Sequence, residues 1–306
     1  MPQLVPRNKA EEECVEALKT KFPPTVLDEA DRDFLASSEA YVRFARARKG
    51  NVEKASALLD SCIKWRREFK PYAITREEVA PIMEKGLTTV GGFCNEGRPV
   101  LIIRLGLENE FNTELRVKQL VYVMEEVQRK GYERATWIVD FTHMGERKKK
   151  DPYVKETRKE TSRITQDFYP EKLGKMFLYN GPWYLNMLIT LSRPFVDAET
   201  RLKVHKAGST LEELATHVRA DQLPKCLGGT MDDNGLNNLD AMPPYSEKEA
   251  SPKKAKEKSG GEGAAEKKEE ETTTKEEETT AGKQQTPNDV AASKEQSVTN
   301  KDEVKG

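Results

Sequence analysis

FYPEKLGKMFLYNGPWYLNMLITLSRPFVDAETRLKVH, running from Phe168 to His205, is the stretch on which the fold turns. A charged turn, Pro170-Glu171-Lys172, leads into a compact apolar run, Met176-Phe177-Leu178-Tyr179. A short apolar run bounded by turn residues suits a buried strand of a parallel sheet. Asn180-Gly181-Pro182 breaks it. The segment Trp183 to Leu191 that follows is apolar on nearly every side. It is far shorter than the ~20 residues a membrane span needs. Pro194 ends it, Asp197 is placed to cap the next helix, and Arg201 and Lys203 follow. A nearly uncharged helix flanked by charge has two readings. It is a core helix, or it is a movable apolar wall over a cavity.

On either side of this stretch, strand and helix patterns alternate. Val100 to Ile103 reads as a strand. Val117, Leu120, Val121, Met124 and Val127 form one face of a helix that Gly131 closes. Thr136 to Phe141 is the next strand, and Tyr153 to Phe168 a charged helix with Ile164 and Phe168 turned inward. Val204 to Ala207 suits a fourth strand, and Ser209-Thr210-Leu211-Glu212 a capping box opening the last helix. This alternation implies an α/β domain, a mainly parallel sheet with helices packed against it.

The part before it is helical. Val15, Leu18 and Phe22 mark a short amphipathic helix that Pro23-Pro24 ends. A helical stretch over 31–49 stops at Gly50. Asn51 caps another with Val52, Ala55, Leu59, Cys62 and Ile63 at helical spacing, stopped by Pro71. The last part, 246–306, is Lys, Glu, Thr, Ser and Ala with no aromatic residue. Such a segment buries too little apolar surface to offset the entropy of ordering, so a disordered tail is expected from 231 onward. The expected divisions are therefore 1–27 as a leader, 28–75 as a small helical bundle, 80–230 as the α/β domain and 231–306 as the tail.

Of the 306 residues, 51 are Lys or Arg and 52 Asp or Glu, a net charge of −1, so nothing in the overall field calls for nucleic acid. No apolar stretch reaches spanning length and Met1 to Arg7 has no apolar signal region, so the expectation is a soluble, cytoplasmic monomer. Cys14, Cys62, Cys94 and Cys226 are scattered without a CxxC pair, which argues against zinc and for a reducing compartment. No phosphate loop, GxSxG elbow or HExxH occurs. His143, His205 and His217 are isolated. Asp140, at the end of an apolar strand, is the best-placed carboxylate for catalysis; the alternative is that it orders the loop after it.

Four pieces in order carry a resemblance. They are Arg43-Phe44-Ala45-Arg46-Ala47-Arg48-Lys49 with Trp65-Arg66-Arg67; Gly97-Arg98-Pro99-Val100; the central run Tyr169-Pro170-Glu171-Lys172-Leu173-Gly174-Lys175, Asn180-Gly181-Pro182-Trp183 and Arg193-Pro194-Phe195-Val196-Asp197; and Leu223-Pro224-Lys225-Cys226-Leu227-Gly228-Gly229-Thr230. Together they resemble the CRAL-TRIO family, and within it the secretory-pathway phosphatidylinositol transfer proteins, over roughly 28–230. The resemblance implies a sheet floor, helices behind it and an apolar gate helix in front, preceded by a small helical bundle. It implies a lipid carrier and no enzyme: no cofactor, one bound phospholipid, and transient visits to Golgi- or endosome-type membranes.

Carried over by motif, the headgroup site falls on Glu171 and Lys203, with Lys172 where the family has an arginine and Arg48 as a contribution from the helical bundle. Trp183, Leu185, Met187, Leu188, Ile189 and Leu191, with Phe195, are the expected gate and cavity wall. Lining of this kind hides acyl chains from water at roughly 0.8 kcal/mol per methylene. Relatives that also carry phosphatidylcholine have two small hydroxyl residues where this chain has Ala135 and Trp137, which puts choline lipid in question. Arg147-Lys148-Lys149-Lys150 is a basic loop suited to anionic membrane surfaces. Two other classes stay open. One is a carrier of a sterol- or tocopherol-like molecule. The other is an interaction protein that recruits partners through its charged tail.

Overall fold

Trp65 and Arg66 explain how the helical part and the α/β part come together. Both lie on α4 (Val52–Phe69), whose N-cap Asn51 accepts a hydrogen bond from the Lys54 N–H. Trp65 stacks on Phe168 with ring centroids 4.4 Å apart and meets the edge of Tyr169 at 5.8 Å. Arg66 is fully buried and forks between Asp31 and Glu125. These contacts are those of a computed structural model, which describes residues 3–246 except 38, 108–111, 145–152, 193–197, 233–235 and 238, and not the side chains at 188 and 192. The described residues all fall in one compact unit, Met1–Lys254.

Before α4 come α1 (Lys9–Lys21), α2 (Asp33–Ala36) and α3 (Ala40–Ala47). Within the stretch 1–27, expected as a leader, Leu4, Cys14, Val15, Leu18, Phe22 and Leu27 are buried in the larger core. Gly50, with a φ of 75°, makes the left-handed turn between α3 and α4. α5 (Arg76–Met83) opens on a capping box of Thr75 and Glu78 and delivers the chain to the sheet.

The sheet has five strands in the order β1-β2-β3-β4-β5: β1 (Thr88–Phe93), β2 (Pro99–Arg104), β3 (Ala135–Asp140), β4 (Leu173–Tyr179) and β5 (Val204–Lys206). The parallel part is β2 to β5, as the alternation of strand and helix requires. β1 is antiparallel at the edge and was not foreseen. Its sequence, Thr-Thr-Val-Gly-Gly-Phe, lacks a β-branched alternation. Its Gly92, at φ 69°, lies so close to the Gln222 carbonyl that a Cβ would sit 2.0 Å from the oxygen.

α6 (Thr113–Arg129) and α7 (Val154–Asp167) cross between strands. After β4 come α8 (Leu185–Ser192) and α9 (Ala198–Lys203), and after β5 comes α10 (Leu211–Ala215). The last capping box is Thr210 with Glu213, one residue beyond the expected Ser209 and Glu212. Side chains alternate across the sheet. Val100, Ile102, Ile138, Phe177 and Tyr179 point to a core shared with Leu214, Val218, Leu223 and Leu227. Leu101 and Trp137 point the other way, to the larger core with α6 and the helical part. Order continues beyond 230, against expectation. Leu239 is buried, the Asn237 N–H donates to the Val90 carbonyl, and Tyr245 meets Tyr132 ring to ring. Two apolar residues, Leu239 and Tyr245, and the backbone of Asn237 anchor a segment whose average composition is that of a tail. Residues 247–306 lie outside the described residues.

Candidate functional site

Tyr169 to Lys172 forms a reverse turn, with the Lys172 N–H donating to the Tyr169 carbonyl at 3.4 Å. Pro170 takes the position that suits its fixed φ. Glu171 takes the next one at φ 60°, where a type II turn wants glycine. The turn hangs from buried anchors: the Tyr169 hydroxyl donates to Glu125 at 2.5 Å, and Glu125 also accepts from Arg66. Burial pushes the Glu125 carboxyl up, but the Arg66 charge and hydrogen bonds outweigh it and hold it below the usual range. Burial, then the Glu125 charge, raises the Tyr169 phenol well above its ordinary value. Sequence reasoning passed over Glu125. The available signal is its spacing: it stands four residues after Val121 and eight after Val117, a charge on an apolar stripe that demands a buried partner.

The turn sends its two charged residues to different places. Glu171 accepts from the Lys203 ammonium at 2.8 Å, and the two side chains are 14% and 21% exposed, so the pair is sheltered without being sealed off. It joins the lead-in to β4 with the end of α9, at the N-terminal edge of the two neighbouring strands. Lys172, expected beside them, is instead buried and donates to Glu133 at 3.1 Å. Glu133 also binds Arg43 and Ser37. One carboxylate thus stands between two cations. Burial pushes Glu133 up, yet Arg43 and Lys172 together hold it down at about 2. Burial first, and then the charge of Arg43, pushes Lys172 down to about 7 against the pull of Glu133. Arg48, also expected at the site, donates to the carbonyl of Ala47 at 3.0 Å. Among the described residues the geometry therefore brings Glu171 and Lys203 together and brings neither Lys172 nor Arg48 to them.

Beside the pair lies an apolar face. Strand register sets Leu101, Trp137, Met176 and Val204 in one row across the sheet, and Ile103, Val139 and Leu178 in the next. Leu101 and Leu178 are buried, whereas Ile103, Trp137, Val139, Met176 and Val204 are only half-buried. A central parallel sheet ordinarily covers such residues on both faces, so this face is incompletely filled. Part of it opens into a shallow cleft, partly open to solvent, where Trp137 and Leu101 face Val123, Met124 and Val127 of α6, with Tyr132 alongside. Ala135 lies in the same cleft, with Lys172 and Glu133 on its polar side.

α8 presents the complementary oddity. Leu185 is buried against Gly181, where an added Cβ would lie 2.3 Å from the leucine methyl. Trp183 just before the helix is 91% exposed, Leu191 62% and Met187 57%, and Ile189 is half-buried. The Leu188 side chain, Phe195, the Asp197 cap and the Arg147 to Lys150 run lie outside the described residues. No described helix is long and apolar enough to cross a membrane.

The residues weighed for catalysis are otherwise engaged. Asp140 is buried and accepts from the Thr142 N–H at 2.9 Å and its hydroxyl at 2.5 Å, and so orders the loop after β3. His217 stacks on Phe177 at 4.3 Å and His205 lies on it at 5.7 Å. Burial, then the charge of Lys175, lowers both imidazoles.

A profile of the CRAL/TRIO domain matches residues 83–229. The phosphatidylinositol transfer protein PDR17 of Saccharomyces cerevisiae is 31% identical over 65% of this chain and 59% of its own length. The Sec14 cytosolic factor of Schizosaccharomyces pombe is 28% identical over 68% of this chain and 80% of its own. The SEC14 cytosolic factor of Kluyveromyces lactis is 32% identical over 61% and 69%. The chain thus spans from three-fifths to four-fifths of these relatives. Among solved structures, that of Sfh5 superposes with a TM-score of 0.55 at 18% identity, covering 70% of this chain and 85% of that one, which shows a common fold. Sheet order, motif order and these likenesses agree, and the chain belongs to the CRAL-TRIO family.

Proposed function

We propose that this protein is a carrier that holds one phospholipid, phosphatidylinositol, and exchanges it at membranes. The observation that carries the reading is the Glu171–Lys203 pair, standing at the edge of a sheet whose apolar face is left half open. An acyl chain supplies the missing contacts on that face, and the ammonium answers the phosphodiester that an apolar site would otherwise reject. Glu171 accepts hydrogen bonds from inositol hydroxyls. The names of the relatives, phosphatidylinositol transfer protein and Sec14 cytosolic factor, support the same reading.

In this reading α8 is the gate. In water, reburying its apolar side chains drives closure; at a bilayer, which is itself an apolar solvent, that drive fades and the lipid exchanges. The protein works as a monomer in the cytoplasm with transient visits to Golgi- or endosome-type membranes, helped by the Arg147 to Lys150 run. It needs no cofactor beyond the lipid and catalyses no reaction.

The test is transfer of labelled phosphatidylinositol and phosphatidylcholine between vesicles by wild type, Lys203→Ala and Glu171→Gly. Glycine suits the turn, so Glu171→Gly keeps the fold, with stability within about 1 kcal/mol of wild type. Loss of a charge-assisted contact lowers inositol-lipid transfer about tenfold in each variant. Wild-type rates in both folded variants would sink the site, and no transfer by wild type would sink the function.

One observation favours a second reading. The cleft beside Ala135 and Trp137 offers aromatic and aliphatic walls where relatives that carry choline lipid are expected to have hydroxyls. A sterol-like molecule suits such walls. Extraction of the purified protein and mass spectrometry of what it carries separates the two.

A further inference from the structure

The segment ahead of α1 has no regular structure, yet it is fixed at several points. Leu4 is buried in the core and its N–H donates to Glu39 at 2.7 Å. The Val5 carbonyl accepts from Arg46, the Arg7 N–H donates to Glu11 at 3.0 Å, and Asn8 caps α1. Held in this way, the Arg7 guanidinium reaches α9 and pairs with Glu199, with 51% and 39% of the two side chains exposed.

Glu199 stands four residues before Lys203, so the two lie on one face of α9. Lys203 in turn holds Glu171. The hydrogen bond that Arg7 donates to Glu199 is the main cause that raises the Arg7 pKa, against partial burial, and the charges of Glu199, Glu11 and Glu171 add to it, so Arg7 lies within the field of all three carboxylates. Two ion pairs, Arg7–Glu199 and Lys203–Glu171, are therefore carried on one face of α9.

An exposed ion pair contributes little to folding, so stability alone does not account for a pinned segment that delivers one arginine to this spot. The arrangement matches a ligand that sets a phosphodiester beside several hydroxyls. Arg7 and Lys203 take the phosphate, and Glu171 accepts from the hydroxyls. The other two cations that the sequence suggests for this task, Arg48 and Lys172, are engaged with the Ala47 carbonyl and with Glu133.

We propose that Arg7 is a headgroup-binding residue, its guanidinium turning from Glu199 to the lipid phosphate beside Lys203. The proposal rests on the lipid-carrier reading above and supplies the planar two-oxygen fork that Lys203, a point charge, lacks. It also gives the segment before α1 a place in the site.

The test uses the full chain and pick-up of phosphatidylinositol from vesicles by wild type, Arg7→Gln, Arg7→Lys and Glu199→Gln, with thermal melting of each. Glu199→Gln ends only the charge pair with Arg7. The expected result is a drop of about tenfold for Arg7→Gln, partial recovery in Arg7→Lys, and a change of no more than about threefold for Glu199→Gln, all at the wild-type melting temperature. Equal losses in Arg7→Gln and Glu199→Gln would make the pair a brace between the segment and α9, and would overturn the proposal. So would wild-type pick-up by Arg7→Gln, and in that case the carrier reading stands. Wild type that picks up no inositol lipid sinks the carrier reading, and this proposal with it.

Discussion

Glu171 and Lys172 are adjacent, and the backbone between them decides what each does. A left-handed φ at Glu171 is a conformation that a residue with a Cβ adopts at a cost of about 1 kcal/mol or more. The turn keeps glutamate there and points it at Lys203, while the next residue runs into the interior. The motif Tyr169-Pro170-Glu171-Lys172 was legible in the sequence, but the divergence of its two charges was not, because turn geometry and not spacing sets it. Lys172 carries a consequence for pH. Its folded-state value of about 7 lies below the unfolded one of about 10.4. Between those values the unfolded chain binds the additional proton, so this group makes stability rise as pH rises from about 7 towards 10. Lys172→Met has no such group. Denaturant unfolding at about pH 6 and pH 9 is therefore expected to show wild type gaining on Lys172→Met by on the order of 2 kcal/mol at the higher pH. Parallel profiles for the two proteins would show that Lys172 is solvated and outside the buried cluster.

Helices and parallel strands were mostly legible because each repeats its signal over many residues. α4 and α6 carry apolar stripes, Asn51 caps where it should, and β2, β3 and β4 are short β-branched or apolar runs. What escaped was what repeats nothing. β1 is held by its neighbours and by Gly92 lying against Gln222, and the chain after 230 is held by Leu239 and Tyr245. α8 lies between these cases. Its apolar character was plain, but pattern alone left core helix and movable wall both open. Exposure of Trp183, Met187 and Leu191 speaks against a core helix, since a soluble surface seldom gathers large apolar side chains without use for them. Replacing the three together with serine is expected to change folding stability by no more than about 1 kcal/mol, because little of their surface is buried. On the proposed gate mechanism the same replacement is expected to slow lipid transfer several-fold, since the bilayer then gives α8 less apolar compensation. Normal transfer with normal stability would remove α8 from the mechanism.

Taken together, the helical part and the α/β part share one continuous core. The larger core runs from Leu4 through α1, α3 and α4 to α6, Phe168, Tyr169 and Leu239, so it crosses every boundary that composition suggests. Its polar keystone is Arg66, which binds Asp31 from the helical part and Glu125 from α6 while lying 3.9 Å from the Phe34 ring. The family profile begins at 83, and so leaves out the helices that hold the central turn in place. Removing Arg66 strands two buried carboxylates at once. Asp31 is already raised by burial despite its bonds to Arg66, and Glu125 is held charged chiefly by that arginine. Breaking a buried network of this kind costs about 3–5 kcal/mol, a large part of the stability of an ordinary domain. Arg66→Met is therefore expected to unfold in one transition at much lower denaturant, monitored together by Trp65 in the helical part and Trp137 in the sheet. Two separated transitions, with the sheet probe unmoved, would mean that the helical part folds alone and that Tyr169 does not need Arg66 to present Glu171. A single shifted transition means that the turn presenting Glu171, the proposed headgroup residue, is assembled by the whole chain from α1 to Tyr245, and that substitutions far from Glu171 reach it through Tyr169.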